Sequence, residues 1–227
     1  IDYLRKGKTP PLMLHLKYKF YEKTVYALLK KTIGIENGNF FPTAGAAVPD
    51  EICEFVHSVG INMVVGYGLT ESTATVSGFL NEGYEIGSVG TVMPDVEVKI
   101  GENNEILLRG KTITTGYYKK PEATAAAIDR DGWFHTGDAG YLKDSHLYLT
   151  ERIKDLFKTS NGKYISPQAL ETKLAIDRYI DQIAVIADER KFVSALIVPV
   201  YGFVKDYAKE KGIAYSNMDE LLQHPKI

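Results

Sequence analysis

Residues 49–72 constrain this chain more than any other stretch, because helix, strand and loop signals follow one another there without a gap. Pro49, Asp50 and Glu51 place proline and two acids in a first helical turn, and Gly60 ends the helix. Its apolar face is expected to be Ile52, Phe55, Val56 and Val59. Residues 62–65 read as a buried strand that runs directly into Gly66-Tyr67-Gly68-Leu69-Thr70-Glu71-Ser72. Upstream, a short apolar run ends at Pro42 and leads into the small, turn-like Thr43-Ala44-Gly45-Ala46-Ala47. A strand–helix–strand rhythm of this kind belongs to an α/β sheet, and open α/β sheets bind ligands at the carboxyl ends of their strands.

That position gives the Gly66–Ser72 segment chemical interest. The two glycines let a ligand approach the backbone closely. Tyr67 offers a flat face to a base, Thr70 a hydroxyl to a phosphate oxygen, and Glu71 a hard oxygen to Mg²⁺. A surface turn capped by Thr70 and Glu71 is the competing reading. Farther on, Trp133-Phe134-His135-Thr136-Gly137-Asp138 puts a carboxylate just past a glycine, where it suits a pair of ribose hydroxyls or an Asx turn. His135 reads as a structural histidine rather than a base.

The texture changes twice. From Gly87 onward, glycines and Pro94 punctuate short strands at 96–100, 105–109 and 133–134, with a hairpin turn at Glu102-Asn103-Asn104 and one Ala-rich helix at 121–128. From Glu151 the pattern becomes α+β. It comprises a helix from Pro167 to Leu174, strands at 183–187 and 193–198, and helical spacing again from Phe203. The run 151–158 alternates charged and apolar residues, as in an exposed strand or a cationic joint between domains. Asn161-Gly162 suits a tight hairpin.

Several chemistries drop out. Cys53 is the only cysteine, and the five histidines are not paired with it or with one another at metal-ligand spacing. Gly110-Lys111-Thr112 lacks the earlier glycine of a phosphate loop, since Glu105 stands there. With 27 basic and 29 acidic residues the net charge is −2, which supplies no argument for nucleic acid or an anionic membrane. No apolar run approaches the roughly 18 residues of a membrane span.

Taken together and in order, these motifs resemble the adenylate-forming superfamily of AMP-dependent synthetases and ligases. The resemblance runs from about Phe40 to Val200. It rests on Thr43-Ala44-Gly45-Ala46-Ala47-Val48, Gly66-Tyr67-Gly68-Leu69-Thr70-Glu71, Gly87-Ser88-Val89-Gly90, Thr115-Gly116-Tyr117-Tyr118 with Pro121-Glu122, Trp133 to Asp138, and Glu151 to Pro167. The residues from Ile153 to Ile165 look most like long-chain fatty acid–CoA ligases.

The resemblance implies a multi-domain α/β and α+β chain. Residues 1–86 would end a large α/β adenylation domain, 87–150 would form a small β-barrel-like subdomain, and 151–227 would be an incomplete C-terminal α+β lid domain with its hinge near Lys154. Gly45 and Ala46 fall where the family lines the acyl and adenine pocket. Tyr67, beside Gly68, would stack on adenine. Thr70 would contact the α-phosphate and Glu71 would hold Mg²⁺. Asp138 and Arg152 would bind the ribose. The implied substrates are a fatty acid, ATP and CoA, in the cytoplasm, with peripheral membrane contact left open. A carrier-protein acceptor in place of CoA, or a nucleotide-binding fragment without catalysis, are the alternatives. The family's Ser/Thr/Gly-rich phosphate loop has no counterpart in residues 1–40, and Lys226 lacks the context of the family's C-terminal adenylation lysine. Thr43-Ala44 also replaces the commoner Ser-Gly. The expectation is therefore a piece of a longer polypeptide, inactive alone, whose N-terminal and C-terminal remainder are its partners.

Overall fold

The computed structural model describes residues 3, 8–78, 85–160, 164–188 and 190–227. The chain divides into two compact units, Ile1–Thr150 and Glu151–Ile227.

The first unit opens with a helical run: α1 (Leu12–Tyr21), a π-helical turn (Glu22–Tyr26) and α2 (Ala27–Thr32). The Thr24 hydroxyl donates to the Phe20 carbonyl at 2.8 Å where the helix widens, a side-chain intrusion of the kind that accompanies such turns. A β–α–β unit follows. Strand β1 (Phe41–Thr43) lies parallel to β2 (Met63–Val65), and α3 (Asp50–Ser58) connects them. The expected α/β rhythm is therefore present. The buried stripe of α3 differs from the expected one. Cys53 is 1% exposed and Val59 is buried, whereas Ile52 and Phe55 are 43% and 57% exposed. The reason is angular: Cys53, Val56 and His57 share one side of the helix, Ile52 lies beside it and Phe55 lies nearly opposite. The His57 imidazole Nε2 lies 2.6 Å from the Met63 carbonyl on that inward side.

The remaining strands of this region are β3 (Ser77–Gly78), β4 (Thr91–Val92), β5 (Val96–Ile100), β6 (Glu105–Gly110), β7 (Phe134–Lys143) and β8 (His146–Arg152). They form one six-stranded sheet in the order β3-β4-β8-β7-β6-β5. The β-barrel-like expectation is corrected here, since among the described residues the sheet is open, with β3 and β5 at its edges. The hairpin at Glu102–Asn104 is as expected, with Asn103 and Asn104 at φ +53° and +59°, a conformation asparagine tolerates better than most residues. Helix α4 (Pro121–Ala127) crosses between β6 and β7 in sequence.

Residues from both sides of Gly87 share one core. Cys53, Val65, Tyr67 and Val76 pack with Val89, Ile106, Leu108, Phe134 and Leu147. Strand β3 precedes Gly87 yet pairs with β4 beyond it. At the rim of this core Tyr148 is buried and stacks on Tyr141 at 4.8 Å, and burial pushes its phenol up to about 12. A raised phenol stabilises the fold fully below about pH 10, the ordinary phenol range, and that contribution is lost as pH climbs through about 12. Alkaline unfolding followed by near-ultraviolet circular dichroism is expected to steepen over that window. Tyr148→Phe, which keeps the ring and removes the ionising group, is expected to flatten it. An unchanged alkaline limb in Tyr148→Phe would refute the assignment.

The second unit carries two small antiparallel sheets, β9 (Phe157–Lys158) with β10 (Tyr164–Ile165) and β11 (Ile180–Ile186) with β12 (Ser194–Pro199). The turn expected at Asn161-Gly162 lies outside the described residues. Helix α5 (Pro167–Leu174) packs on β11, with the Val185 amide donating to Glu171 Oε1 at 2.7 Å. Helices α6 (Tyr201–Glu210) and α7 (Met218–Leu222) bury Val204, Ala208 and Leu221 together. Asn217 caps α7 by accepting from the Glu220 amide at 2.9 Å, and Glu220 reaches back to the Ser216 amide at 2.7 Å.

Candidate functional site

The parallel β1–β2 pair brings two loops to one end. Thr43 faces Val65, and the Gly66 amide donates to the Thr43 carbonyl at 2.8 Å. The segment holding Gly45 and Ala46 and the segment holding Tyr67 and Gly68 therefore both leave from the carboxyl end of the pair. Gly45 sits at φ +91° with open space around it, and both Gly45 and Ala46 are exposed.

The second loop folds back on itself. The Tyr67 amide donates to the Ser77 carbonyl at 3.2 Å, and the Val76 amide donates to the Tyr67 carbonyl at 2.8 Å. The Leu69 carbonyl accepts from the amides of Ser72 and Ala74, both at 3.1 Å, and from the Ser72 hydroxyl at 2.9 Å. Thr73 and Ala74 take left-handed conformations, φ +52° and +74°, to complete the reversal. Gly68 has to be glycine here, because a Cβ on it would overlap the Ala74 carbonyl oxygen.

This reversal presents Thr70, Glu71 and Ser72 as a single 3-10 turn. Ser72 is buried and serves the turn, whereas Thr70 is exposed with no partner for its hydroxyl among the described residues. The segment before α4 is tied against the turn at three points. The Thr114 amide donates to the Glu71 carbonyl at 2.7 Å, the Thr73 hydroxyl to the Thr112 carbonyl at 2.7 Å, and the Tyr117 hydroxyl to Glu71 Oε1 at 2.8 Å. The hydrogen bond to Glu71, with burial second, holds the Tyr117 phenol above its ordinary range. The sequence alone gives Tyr117 no individual role, although Thr115-Gly116-Tyr117-Tyr118 is one of the motifs that carry the resemblance.

Asp138 lies on β7 and reaches the same loop. The Tyr67 hydroxyl donates to Asp138 Oδ2 at 2.7 Å, joining residues 71 positions apart. Tyr67 itself is 8% exposed, its ring set in the core and its hydroxyl turned to the carboxylate. The Asp138 amide in turn donates to the Thr136 hydroxyl at 3.0 Å, and that hydroxyl donates to the Ile106 carbonyl at 2.7 Å. Of the expected site residues, Gly45, Ala46, Tyr67, Gly68, Thr70, Glu71 and Asp138 thus all belong to the first unit. Tyr67 and Asp138 touch directly.

Arg152 and Lys154 belong to the second unit. Arg152 ends β8 and its Nε lies 3.9 Å from Asp155 Oδ2. Lys154 sits in the 3-10 turn Ile153–Asp155, four residues after the boundary at Thr150; its side chain lies outside what the structure describes. Among the described residues no group of three or more His, Cys, Asp or Glu could hold a metal ion, and no helix is long and apolar enough to cross a membrane.

The AMP-binding enzyme family matches residues 10–118. The long-chain-fatty-acid–CoA ligase FadD15 of Mycobacterium bovis is 33% identical over 189 residues, covering 83% of this chain and 31% of that protein. The chain thus spans less than a third of that relative's length. Among solved structures, an E. coli MenE variant with bound OSB-AMS has a TM-score of 0.59 and 29% identity, covering 76% of this chain and 39% of that one. The adenylation domain of a carboxylate reductase from Mycobacterium chelonae has a TM-score of 0.61 and 27% identity, covering 75% and 28%.

Proposed function

We propose, from the premise that this chain belongs to the adenylate-forming superfamily, that it is part of an acid–thiol ligase that activates a long-chain fatty acid with ATP and passes it to CoA. The observation that carries this reading is the contact between Tyr67 and Asp138 at the carboxyl end of the parallel pair, with the Thr70–Ser72 turn beside it. It gathers the Tyr67 hydroxyl, the Asp138 carboxylate, the Thr70 hydroxyl and the Glu71 side chain into one neighbourhood. They are the groups this reading assigns to base, ribose, phosphate and cation.

In this reading Gly45 and Ala46 line the acyl and adenine pocket, Tyr67 meets the adenine and Asp138 accepts from the ribose hydroxyls. Thr70 donates to the α-phosphate. Arg152 is read as a further ribose contact, and Lys154 as the hinge residue of the lid. Residues 1–86 and 87–150, which share one core, are read as the adenylation domain's end and its small β subdomain, and 151–227 as the lid. A bound Mg²⁺ supplies charge neutralisation at the phosphates. Glu71 fits that ion, because Mg²⁺ dehydrates reluctantly and is held by one or two carboxylates together with substrate phosphates rather than by a protein cage. One Glu71 oxygen accepts from Tyr117, and the other has no partner among the described residues.

The chemistry balances in two steps. A carboxylate oxygen of the fatty acid bonds to the α-phosphorus of ATP, and the bond to pyrophosphate breaks. The CoA sulfur then bonds to the acyl carbon, the thiol proton passes to solvent, and the bond from the acyl carbon to the AMP phosphate oxygen breaks. Positioning and fixed dipoles supply most of the acceleration in such transfers. The polypeptide that contains this chain is expected to exchange labelled pyrophosphate into ATP only when a fatty acid is present, and to release acyl-CoA, detected by mass, when CoA is added. Exchange without acyl-CoA would favour the second reading, a carrier-protein acceptor. AMP binding with no exchange at all would leave a nucleotide-binding fragment and end the ligase reading.

A further inference from the structure

Asp138 stands on an irregular stretch of β7. On β6, Glu105 and Leu107 are two residues apart; their partners on β7, Ala139 and His135, are four apart. The extra residues bulge out of the ladder, and a bulge beside a binding site re-aims a side chain at the cost of backbone hydrogen bonds. Here the lost bonds are replaced by side chains. The Thr136 hydroxyl donates to the Ile106 carbonyl at 2.7 Å. Glu105 does the rest with both oxygens: Oε1 accepts from the Gly137 amide at 2.9 Å, and Oε2 accepts from His135 Nδ1 at 2.9 Å. A carboxylate only accepts, so this contact puts the proton on Nδ1. Gly137, at φ +73°, is the residue directly before Asp138.

We propose that Glu105 is a positioning residue for Asp138, its carboxylate clamping the bulge on both sides so that Asp138 meets a ribose. The inference rests on the ribose reading of Asp138 and deepens it. Glu105 does not touch the nucleotide. Residues 135 and 137 flank the turn of the bulge, and one rigid planar group holds both. Freeing Gly137 lets the peptide before Asp138 rotate, and the carboxylate loses its aim. The contact between Tyr67 and Asp138 then loosens as well, because it depends on the same backbone.

The test compares AMP with 2′,3′-dideoxy-AMP by calorimetric titration of this chain. Asp138→Asn calibrates the ribose contribution, and it is expected to bind AMP about tenfold more weakly, in keeping with a lost hydrogen bond to a charged group. Glu105→Ala is expected to reproduce most of that loss for AMP and to leave the dideoxy compound within about twofold. Glu105→Gln, whose amide oxygen can still accept from Gly137, is expected to recover most of the affinity. If Glu105→Ala does not fold, Glu105→Asp draws the carboxylate back by one methylene and carries the same expectation. Exchange protection of the Gly137 amide is expected to fall in step with the AMP loss. Equal weakening of both ligands, or full discrimination retained in Glu105→Ala and Glu105→Asp, overturns the inference. A chain that never discriminates between the two ligands, with Asp138→Asn silent too, overturns the ribose reading instead.

Discussion

Glu71→Gln, made in the polypeptide that contains this chain, is expected to slow fatty-acid-dependent pyrophosphate exchange by about 10²–10³. The substitution is nearly isosteric. Its amide oxygen can still accept the Tyr117 hydroxyl that Glu71 Oε1 accepts at 2.8 Å, so the turn keeps its tie to the segment before α4. What disappears is the charge that would hold a cation against the phosphates. Half-exposed sites of this kind change stability by about 0.5 kcal/mol or less, so thermal unfolding is expected to hold steady while exchange collapses. Raising Mg²⁺ is expected to restore part of the rate. Tyr117→Phe keeps the charge and loses only the orienting bond, and a smaller effect of about tenfold is expected, the size of one hydrogen bond to a charged group. With its charged partner gone in Glu71→Gln, the Tyr117 phenol is expected to fall back toward its ordinary range. An exchange rate unmoved in Glu71→Gln would remove Glu71 from the cation site.

Gly68→Ala carries the second large expectation. The added Cβ would overlap the Ala74 carbonyl oxygen, which is backbone and cannot swing aside as a side chain can. Ala74 is pinned by its amide on the Leu69 carbonyl at 3.1 Å and already sits at φ +74°. The loop has to open, and the Thr70–Ser72 turn goes with it. The forced backbone shift is expected to cost about 1–3 kcal/mol of stability, and AMP affinity is expected to fall by at least about tenfold, beyond what one lost hydrogen bond to a charged group removes. Gly34→Ala is the useful contrast. Its φ of +75° makes alanine strained, but nothing lies within 4 Å of the new Cβ. A cost of about 1 kcal/mol with little change in AMP binding is expected there. Chemical denaturation and AMP titration of both variants check the pair. Equal losses in the two would show that the Gly68–Ala74 crossing does not shape the site.

The sequence by itself determined what depends on near neighbours. Proline and acids at residues 49–51, glycine at residue 60, the apolar run before Gly66 and the asparagines at 103 and 104 each bias a few dihedrals or one local hydrogen bond. The helix, the strands and the hairpin of those segments accordingly lie where their spacing puts them. The Gly66–Ser72 loop was legible for the same reason, since two glycines after a buried strand leave few other conformations. The tertiary structure alone decided which side of α3 is buried. Ile52 and Phe55 are as apolar as any core residue, and only the position of the sheet made Cys53 the inward one. It also decided that, among the described residues, the sheet from β3 to β5 stays open, since closure depends on which edges meet and not on any strand's own composition. The partners within the candidate site were equally hidden. Tyr67 meets Asp138 across 71 residues, Glu71 meets Tyr117 across 46, and Glu105 meets Gly137 across 32. Spacing along a chain specifies dihedrals and nearest hydrogen bonds. Which distant carboxylate a hydroxyl reaches is settled when the strands pack, because the loop-closure cost varies only slowly with separation and leaves the choice to the packed core.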